Sequence, residues 1–132
     1  TAGANAVVKY IIENDVVGMS AKNGEALLKK LKDALGDIPA VGDIRGIGML
    51  AGVELVSDRE SKAPFDPKLG IAGKIAAYCL DKGLLVLSGV TGTADGIIGD
   101  ALQISPALTM TPEEMDVAVA ILREAIISVT GA

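Results

Sequence analysis

The chain has 132 residues, half of them hydrophobic, with three aromatic side chains and no Trp, so it can form one domain with an aliphatic core and is not a disordered chain. Its net charge of −5 and its few aromatic rings argue against nucleic-acid binding. It has no His and one Cys, which removes the usual metal ligands, an internal disulfide and the usual general base, and favours a reducing, cytoplasmic location.

The chain also lacks a candidate membrane span. No apolar run approaches the roughly 18 residues that a spanning helix needs, because Glu54 interrupts the longest candidate. The sequence begins with Thr1 rather than Met, and no signal-like segment follows. We therefore expect neither a membrane partner nor a natural start at Thr1, which we interpret as a cut end.

A first helix is predicted over Ala4–Glu13. Its polar residues Asn5, Lys9 and Glu13 recur every four positions, and everything between them is apolar. A helix with such a narrow polar stripe must be covered on most of its circumference. We expect it to pack against a partner that this chain does not include.

A second helix is predicted from a cap at 14–15 to Leu35. Gly36 ends it, and Gly18 and Gly24 weaken its first half. Its apolar face is formed by Leu27, Leu31 and Leu35.

A hairpin is predicted over 41–56, where the apolar period changes to two. The glycines of Arg45–Gly48 tolerate a positive φ, which favours a turn at these four residues. The polar stretch Ser57–Lys68 then predicts a surface loop. One face of the second strand is formed by Met49, Ala51, Val53 and Leu55.

The next segments predict a helix, a strand, a loop and a strand. The helix covers Leu69–Lys82, and Leu84–Leu87 follows as a short buried strand. Four glycines in Ser88–Asp100 predict a long loop, after which Leu102 and Ile104 alternate as a strand.

The last helix has the sharpest local signal in the chain. Thr111 can cap it, Pro112 suits its first position, and Glu114 can reach back to the amide of the cap. The helix runs to about Val129, and Met115, Val119, Leu122 and Ile126 face inward. The element order predicts an α+β fold with a small, mainly antiparallel sheet and helices packed on one face.

No residue pattern in this chain predicts a catalytic constellation. The letters of Gly46–Ala51 match a dinucleotide fingerprint, but a strand follows them where that motif requires a helix. Arg45 could meet a carboxylate of a ligand, but an arginine at the end of a strand more often pairs with a nearby Asp or with backbone carbonyls. Asp95 and Asp100 resemble turn formers rather than calcium ligands. Cys79 lies on an apolar helix face without a His to activate it, which favours a core role.

One string nevertheless resembles a known family. The segment VGDIRGIGMLAGVELV from Val41 to Val56 looks like the strand motif of class III pyridoxal-phosphate aminotransferases. Further motifs follow in the same order and spacing, and the resemblance covers about Ala4 to Val129. They are Asp58-Arg59, Pro64 to Pro67, Cys79 to Val86, Gly92 to Gly96, Gly99-Asp100, Ile104 to Pro106 and Leu108 to Asp116.

The resemblance implies an aminotransferase small-domain type of α+β fold. Residues 1–14 would be a helix from the end of a missing N-terminal large domain, and 15–132 the C-terminal small domain. The intact parent would be a homodimer that moves an amino group between an amine or ω-amino acid and a keto acid. Its pyridoxal phosphate would be held as a Schiff base by a lysine of the large domain. We therefore expect no catalytic, cofactor-binding or metal-binding residue in this chain, and no bound cofactor.

Three positions are implied to face the substrate in the parent. Relatives place a carboxylate-binding arginine near Leu87, at Gln103 or near Ile98, and all three residues are uncharged here. A bidentate guanidinium clamp cannot come from them. Three alternatives therefore remain: the substrate is an amine, it is a longer ω-amino acid, or the carboxylate clamp comes from the missing domain.

An alternative hypothesis does not need a missing domain. The chain could be a free-standing α+β module that binds a small ligand or regulates a partner. In that case the Ser88–Asp100 loop would hold the ligand and the Ala4–Glu13 helix would form an interface.

Overall fold

The computed structural model of the chain describes residues 1–89 and 98–131. Within these residues, four strands form one sheet with the order β1-β2-β4-β3, and every neighbouring pair is antiparallel. The predicted α+β class and element order are confirmed. The helices are α1 (Ala2–Glu13), α2 (Val16–Leu35), α3 (Ile71–Asp81) and α4 (Pro112–Thr130), and the strands are β1 (Val41–Ile47), β2 (Leu50–Leu55), β3 (Leu87–Ser88) and β4 (Asp100–Ile104).

Helices α2, α3 and α4 cover one face of the sheet. Alternate residues of β2 show this, since Val53 and Leu55 are buried whereas Leu50 is exposed. The predicted inward residues of α2 and α4 are buried against the covered face. The opposite face of the sheet stays open in the described part of the chain, and the candidate site lies there. The fully buried side chains include Leu27, Leu31, Leu35, Ile75, Leu102, Met115, Leu122 and Ile126.

The hairpin turn differs from the predicted one. Gly48 and Met49 form it, whereas Arg45–Ile47 belong to β1, and Ile47 pairs with Leu50. Gly48 has a φ of +52°, so one glycine supplies the left-handed conformation that the turn needs.

Gly24 of α2 packs directly on this turn. A Cβ added at Gly24 would lie 2.2 Å from the carbonyl carbon and oxygen of Gly48. Gly24 lowers the helix propensity of α2, but its missing side chain allows the backbone of α2 to approach the hairpin closely. The close approach fixes the hairpin against α2.

The ends of α2 and α4 follow the predicted capping signals. The Asp15 carboxylate accepts a hydrogen bond from the Gly18 N–H at 3.3 Å. In α4 the Thr111 hydroxyl accepts from the Glu114 N–H at 3.2 Å, and the Glu114 carboxylate accepts from the Thr111 N–H at 2.8 Å. The predicted capping box is therefore confirmed.

The Leu84–Leu87 segment is not the buried strand that we predicted. Only Leu87 and Ser88 pair with β4, and the exposed fractions of Leu85 and Leu87 are 77% and 54%. The segment lies at the edge of the sheet, and the helices cover only one of its faces. The side chains of Leu85 and Leu87 therefore remain open, whereas Val86 between them is buried. Leu80 of α3 is exposed as well.

Helix α1 forms as predicted but buries nothing. All of its residues are described, and none of them is buried; Val7 is 59% and Ile12 73% exposed. Among the described residues, no helix combines the length and apolar character that crossing a bilayer requires. Apart from the half-buried Ile11, the apolar surface of α1 thus lies open within the described chain.

Candidate functional site

The open face of the sheet carries one continuous row of four side-by-side residues. Arg45 pairs with Gly52, Gly52 with Gln103, and Gln103 with Leu87. Directly paired residues of antiparallel strands lie on the same face, so this row crosses the whole sheet. A Cβ at Gly52 would have only the Leu102 carbonyl oxygen within 4 Å, at 3.9 Å. Gly52 therefore leaves open space between Arg45 and the Gln103–Leu87 pair.

Arg45 is held at one end of this row by two carboxylates. Its Nη1 lies 2.6 Å from Asp43 Oδ2 and 2.9 Å from Glu54 Oε2. The hydrogen bonds that Arg45 donates to Glu54 and Asp43 raise the pKa of Arg45, and the Arg45 guanidinium lowers the pKa of Asp43. Two negative charges thus offset one positive charge, and the predicted ion pair with a nearby Asp is confirmed.

The structure brings two of the three predicted substrate-facing residues together. Leu87 and Gln103 are exposed cross-strand neighbours. Ile98 lies apart from them, in a recess of about 170 Å³ that Ser88 and Asp100 also line. Leu87 and Gln103 are therefore one uncharged patch, and Ile98 belongs to its neighbourhood rather than to the patch itself.

An apolar cavity of about 220 Å³ opens beside the same strand pair. Its walls come from α2, α4, the Leu84–Leu87 segment and the end of β4, and they reach the buried side chains of Leu31 and Leu122. The sequence did not predict this cavity. The apolar run at 84–87, which predicts a buried strand, instead exposes Leu85 and Leu87 at the mouth of this cavity.

The positive charges of the chain lie away from this cavity. Residues 90–97 contain no Lys or Arg, so all twelve cations fall within the described residues, and none of them lines the cavity. Several form surface ion pairs, for example Arg123 with Asp37 at 2.6 Å. Lys82 lies 3.1 Å from Glu124, and this hydrogen bond raises the pKa of Lys82.

The lining of the apolar cavity and the surface lysine Lys82 do not fit pyridoxal phosphate. A Schiff-base lysine needs a lowered pKa so that it can act as a nucleophile, whereas Lys82 is shifted the opposite way. The apolar cavity beside β3 and β4 offers neither a lysine for the aldehyde nor a cation for the phosphate. Among the described residues, those that line this cavity therefore include no group that would hold the cofactor.

The other candidate residues have structural contacts. Cys79 is completely buried, and burial raises the pKa of its thiol, consistent with the predicted core role. Asp100 does not form a turn as we predicted; it lies in β4 and accepts a hydrogen bond from the Ala72 N–H at the start of α3, at 3.1 Å. Asp95 lies outside the described residues, as does most of the Ser88–Asp100 loop. Among the described residues, no cluster of acidic, Cys or His side chains could hold a metal ion.

Solved structures define the class of fold. A transaminase from work on directed evolution by ancestral reconstruction matches with a TM-score of 0.90 and 32% identity, over 98% of this chain and 27% of that one. An amine transaminase from an uncultivated Pseudomonas species, solved in its PLP-bound internal aldimine form, matches with a TM-score of 0.81 and 32% identity, over 96% of this chain and 27% of that one. The fold is thus that of a transaminase small domain.

The family follows from the sequence comparisons. The family model for class-III aminotransferases matches residues 1–126, and the chain belongs to this family. An aminotransferase from Gibberella zeae is 40% identical over 131 residues, which are 98% of this chain and 25% of that protein. The chain thus spans about a quarter of the length of the curated relatives it matches. Class-III aminotransferases in general use pyridoxal phosphate, and a free-standing module is not favoured.

Proposed function

We propose that this chain is the C-terminal small domain of a pyridoxal-phosphate-dependent aminotransferase. The parent would transfer an amino group between an amine or ω-amino acid and a keto acid, with the cofactor serving as the electron sink. The observation that supports this most is the combination of a transaminase fold with only about a quarter of the relatives' length.

The chain by itself is proposed to be inactive. The Schiff-base lysine would lie in the large domain, and the described lysines support this, because none lines the apolar cavity and the pKa of Lys82 is raised. Titration of pyridoxal phosphate into the 132-residue chain should produce no saturable Schiff-base absorption band. The full-length parent should produce one. A stoichiometric band in the chain together with transamination would contradict the proposal.

Residues 1–14 are proposed to belong to the large domain, and 15–132 to the small domain. The lack of any buried residue in α1 supports this, since its apolar surface needs a partner. In the full-length protein the amides of 7–12 should exchange slowly with solvent. In the 132-residue chain they should exchange fast, and equal protection of these amides in a demonstrated monomer would refute the assignment.

The patch of Leu87 and Gln103, with Ile98 beside it, is proposed to face the substrate. Because the patch is uncharged, this side of the site suits an amine or the hydrocarbon part of an ω-amino acid, and any carboxylate clamp would come from the large domain. Gln103→Arg in the full-length parent should raise kcat/KM for a carboxylate-bearing amine relative to a simple amine by roughly tenfold or more. Gln103→Leu is the matched control and should not do so.

We further propose that the parent is a cytoplasmic homodimer. The single cysteine, which is buried and free, suits a reducing compartment. Light scattering of the full-length parent should give twice the mass of one chain. A monomer with full activity would refute the dimer.

A further inference from the structure

The apolar cavity beside β3 and β4 penetrates the core instead of lying on the surface. It reaches Leu31 and Leu122, whose exposed fractions are 1% and 2%, and it is also lined by Leu85 and Leu87, which are 77% and 54% exposed. The two-residue strand β3 is too short to close this corner of the sheet. The cavity is therefore an entrance into the hydrophobic core.

The lining of the cavity selects neutral guests. Among the described residues, those that line it carry no charge, and the polar side chains among them are Gln103 and Ser105. A charged group that entered would lose its hydration without gaining an ion partner, which is strongly unfavourable. A hydrocarbon or aryl group would instead replace water against leucine, valine and methionine side chains.

The volume sets the size of the guest. An apolar cavity of about 150 Å³ is large enough to bind benzene, and this cavity measures about 220 Å³. A guest somewhat larger than one aromatic ring, with roughly seven to ten heavy atoms, matches it.

We propose that this cavity is a binding site for a small, neutral hydrocarbon or aryl group. The cavity shares Leu87 and Gln103 with the substrate-facing patch proposed above, but binding in it needs neither a lysine nor the cofactor. It can therefore be tested in the 132-residue chain and in the full-length protein alike.

The test uses toluene as the neutral probe and benzoate as its charged counterpart. Toluene should shift the methyl resonances of Leu31 and Leu122 saturably, with a dissociation constant of about 1 mM or below. Benzoate should bind at least about tenfold more weakly, because it would bury a carboxylate. The methyl groups of Val7 and Val8 on exposed α1 report non-specific association and should not saturate.

Two cavity variants and one surface control localise the binding. Ala118 lines the cavity from α4, and Ala118→Leu should fill part of it and weaken toluene binding by about tenfold or more. Ala26→Leu on the exposed surface of α2 is the control and should bind as the wild type does. Met110 also lines the cavity, so Met110→Ala should enlarge it and bind naphthalene more tightly than the wild type does. This variant keeps the test decisive if Ala118→Leu does not fold.

Three results would overturn the proposal. The first is toluene binding that neither variant changes. The second is equal binding of benzoate and toluene. The third is toluene binding to the 132-residue chain but not to the full-length protein, since the cavity would then be filled by the remainder of the protein. Saturable, variant-sensitive binding in both proteins would establish the site.

Discussion

Replacing Gly24 with Ala tests how closely α2 packs on the hairpin. The added Cβ would lie 2.2 Å from backbone atoms of Gly48, whereas ordinary contacts begin near 3.4 Å. The turn would therefore have to retreat by about 1.2 Å, and such overpacking costs about 1–3 kcal/mol. The better helix propensity of Ala returns about 0.5–1 kcal/mol. Because backbone atoms on both sides must move, we expect a cost near the upper end and a net loss of about 2 kcal/mol.

Thermal unfolding followed by circular dichroism measures this loss. A chain of this size should lose about 3–5 °C of Tm per kcal/mol, so the Tm of Gly24→Ala should fall by about 6–10 °C. Gly73→Ala is the matched control, because Gly73 lies inside α3 and nothing stands within 4 Å of its added Cβ. That variant should gain about 0.5–1 kcal/mol from helix propensity and chain entropy. If Gly24→Ala were as stable as Gly73→Ala, the close approach would not be a real constraint.

Three further predictions concern individual contacts. Thr111→Ala removes the capping box of α4 and should cost about 1 kcal/mol in a denaturant melt, whereas a similar loss for Thr111→Ser would contradict the hydroxyl's role. The hydrogen bond from Arg123 lowers the pKa of Asp37 below its ordinary value of 3.8, so this ion pair stabilises the fold above about pH 4 and ceases to do so as the pH falls through the folded-state pKa of Asp37. The Tm should therefore drop less between pH 5 and 3 in Asp37→Asn than in the wild type. Equal drops in the two proteins would refute the coupling. Cys79 is buried with a raised pKa and should react with a thiol reagent only when the chain unfolds, so rapid labelling under native conditions would disprove its core placement.

Structural features that depend only on residues close together in the sequence were predictable. The start of α4 depends on Thr111, Pro112 and Glu114, which satisfy one another's backbone groups without help from the rest of the fold. The inward leucines of α2 follow the helical period, and their burial needed only a partner surface. Such sequence patterns predict the structure correctly because the interactions that they indicate join residues only a few positions apart.

Features that depend on neighbouring elements were not predictable. Both Gly46 and Gly48 suited the hairpin turn, and the contact with Gly24 on α2 accompanies the turn at Gly48. The leucines at 84–87 looked like a buried strand, but burial depends on whether both faces of the sheet are covered. The adjacency of Leu87 and Gln103 follows from the strand order, which no local pattern reveals. The apolar cavity has the same origin, because it is the corner that the short β3 leaves open.

The most direct test of the account is to locate the lysine that holds the cofactor in the full-length parent. The protein loaded with pyridoxal phosphate would be reduced with borohydride, digested and mapped by mass spectrometry. The account predicts a single pyridoxyl-lysine outside the 132 residues described by this sequence. A stoichiometric pyridoxyl group on any of the nine lysines of this chain would contradict it.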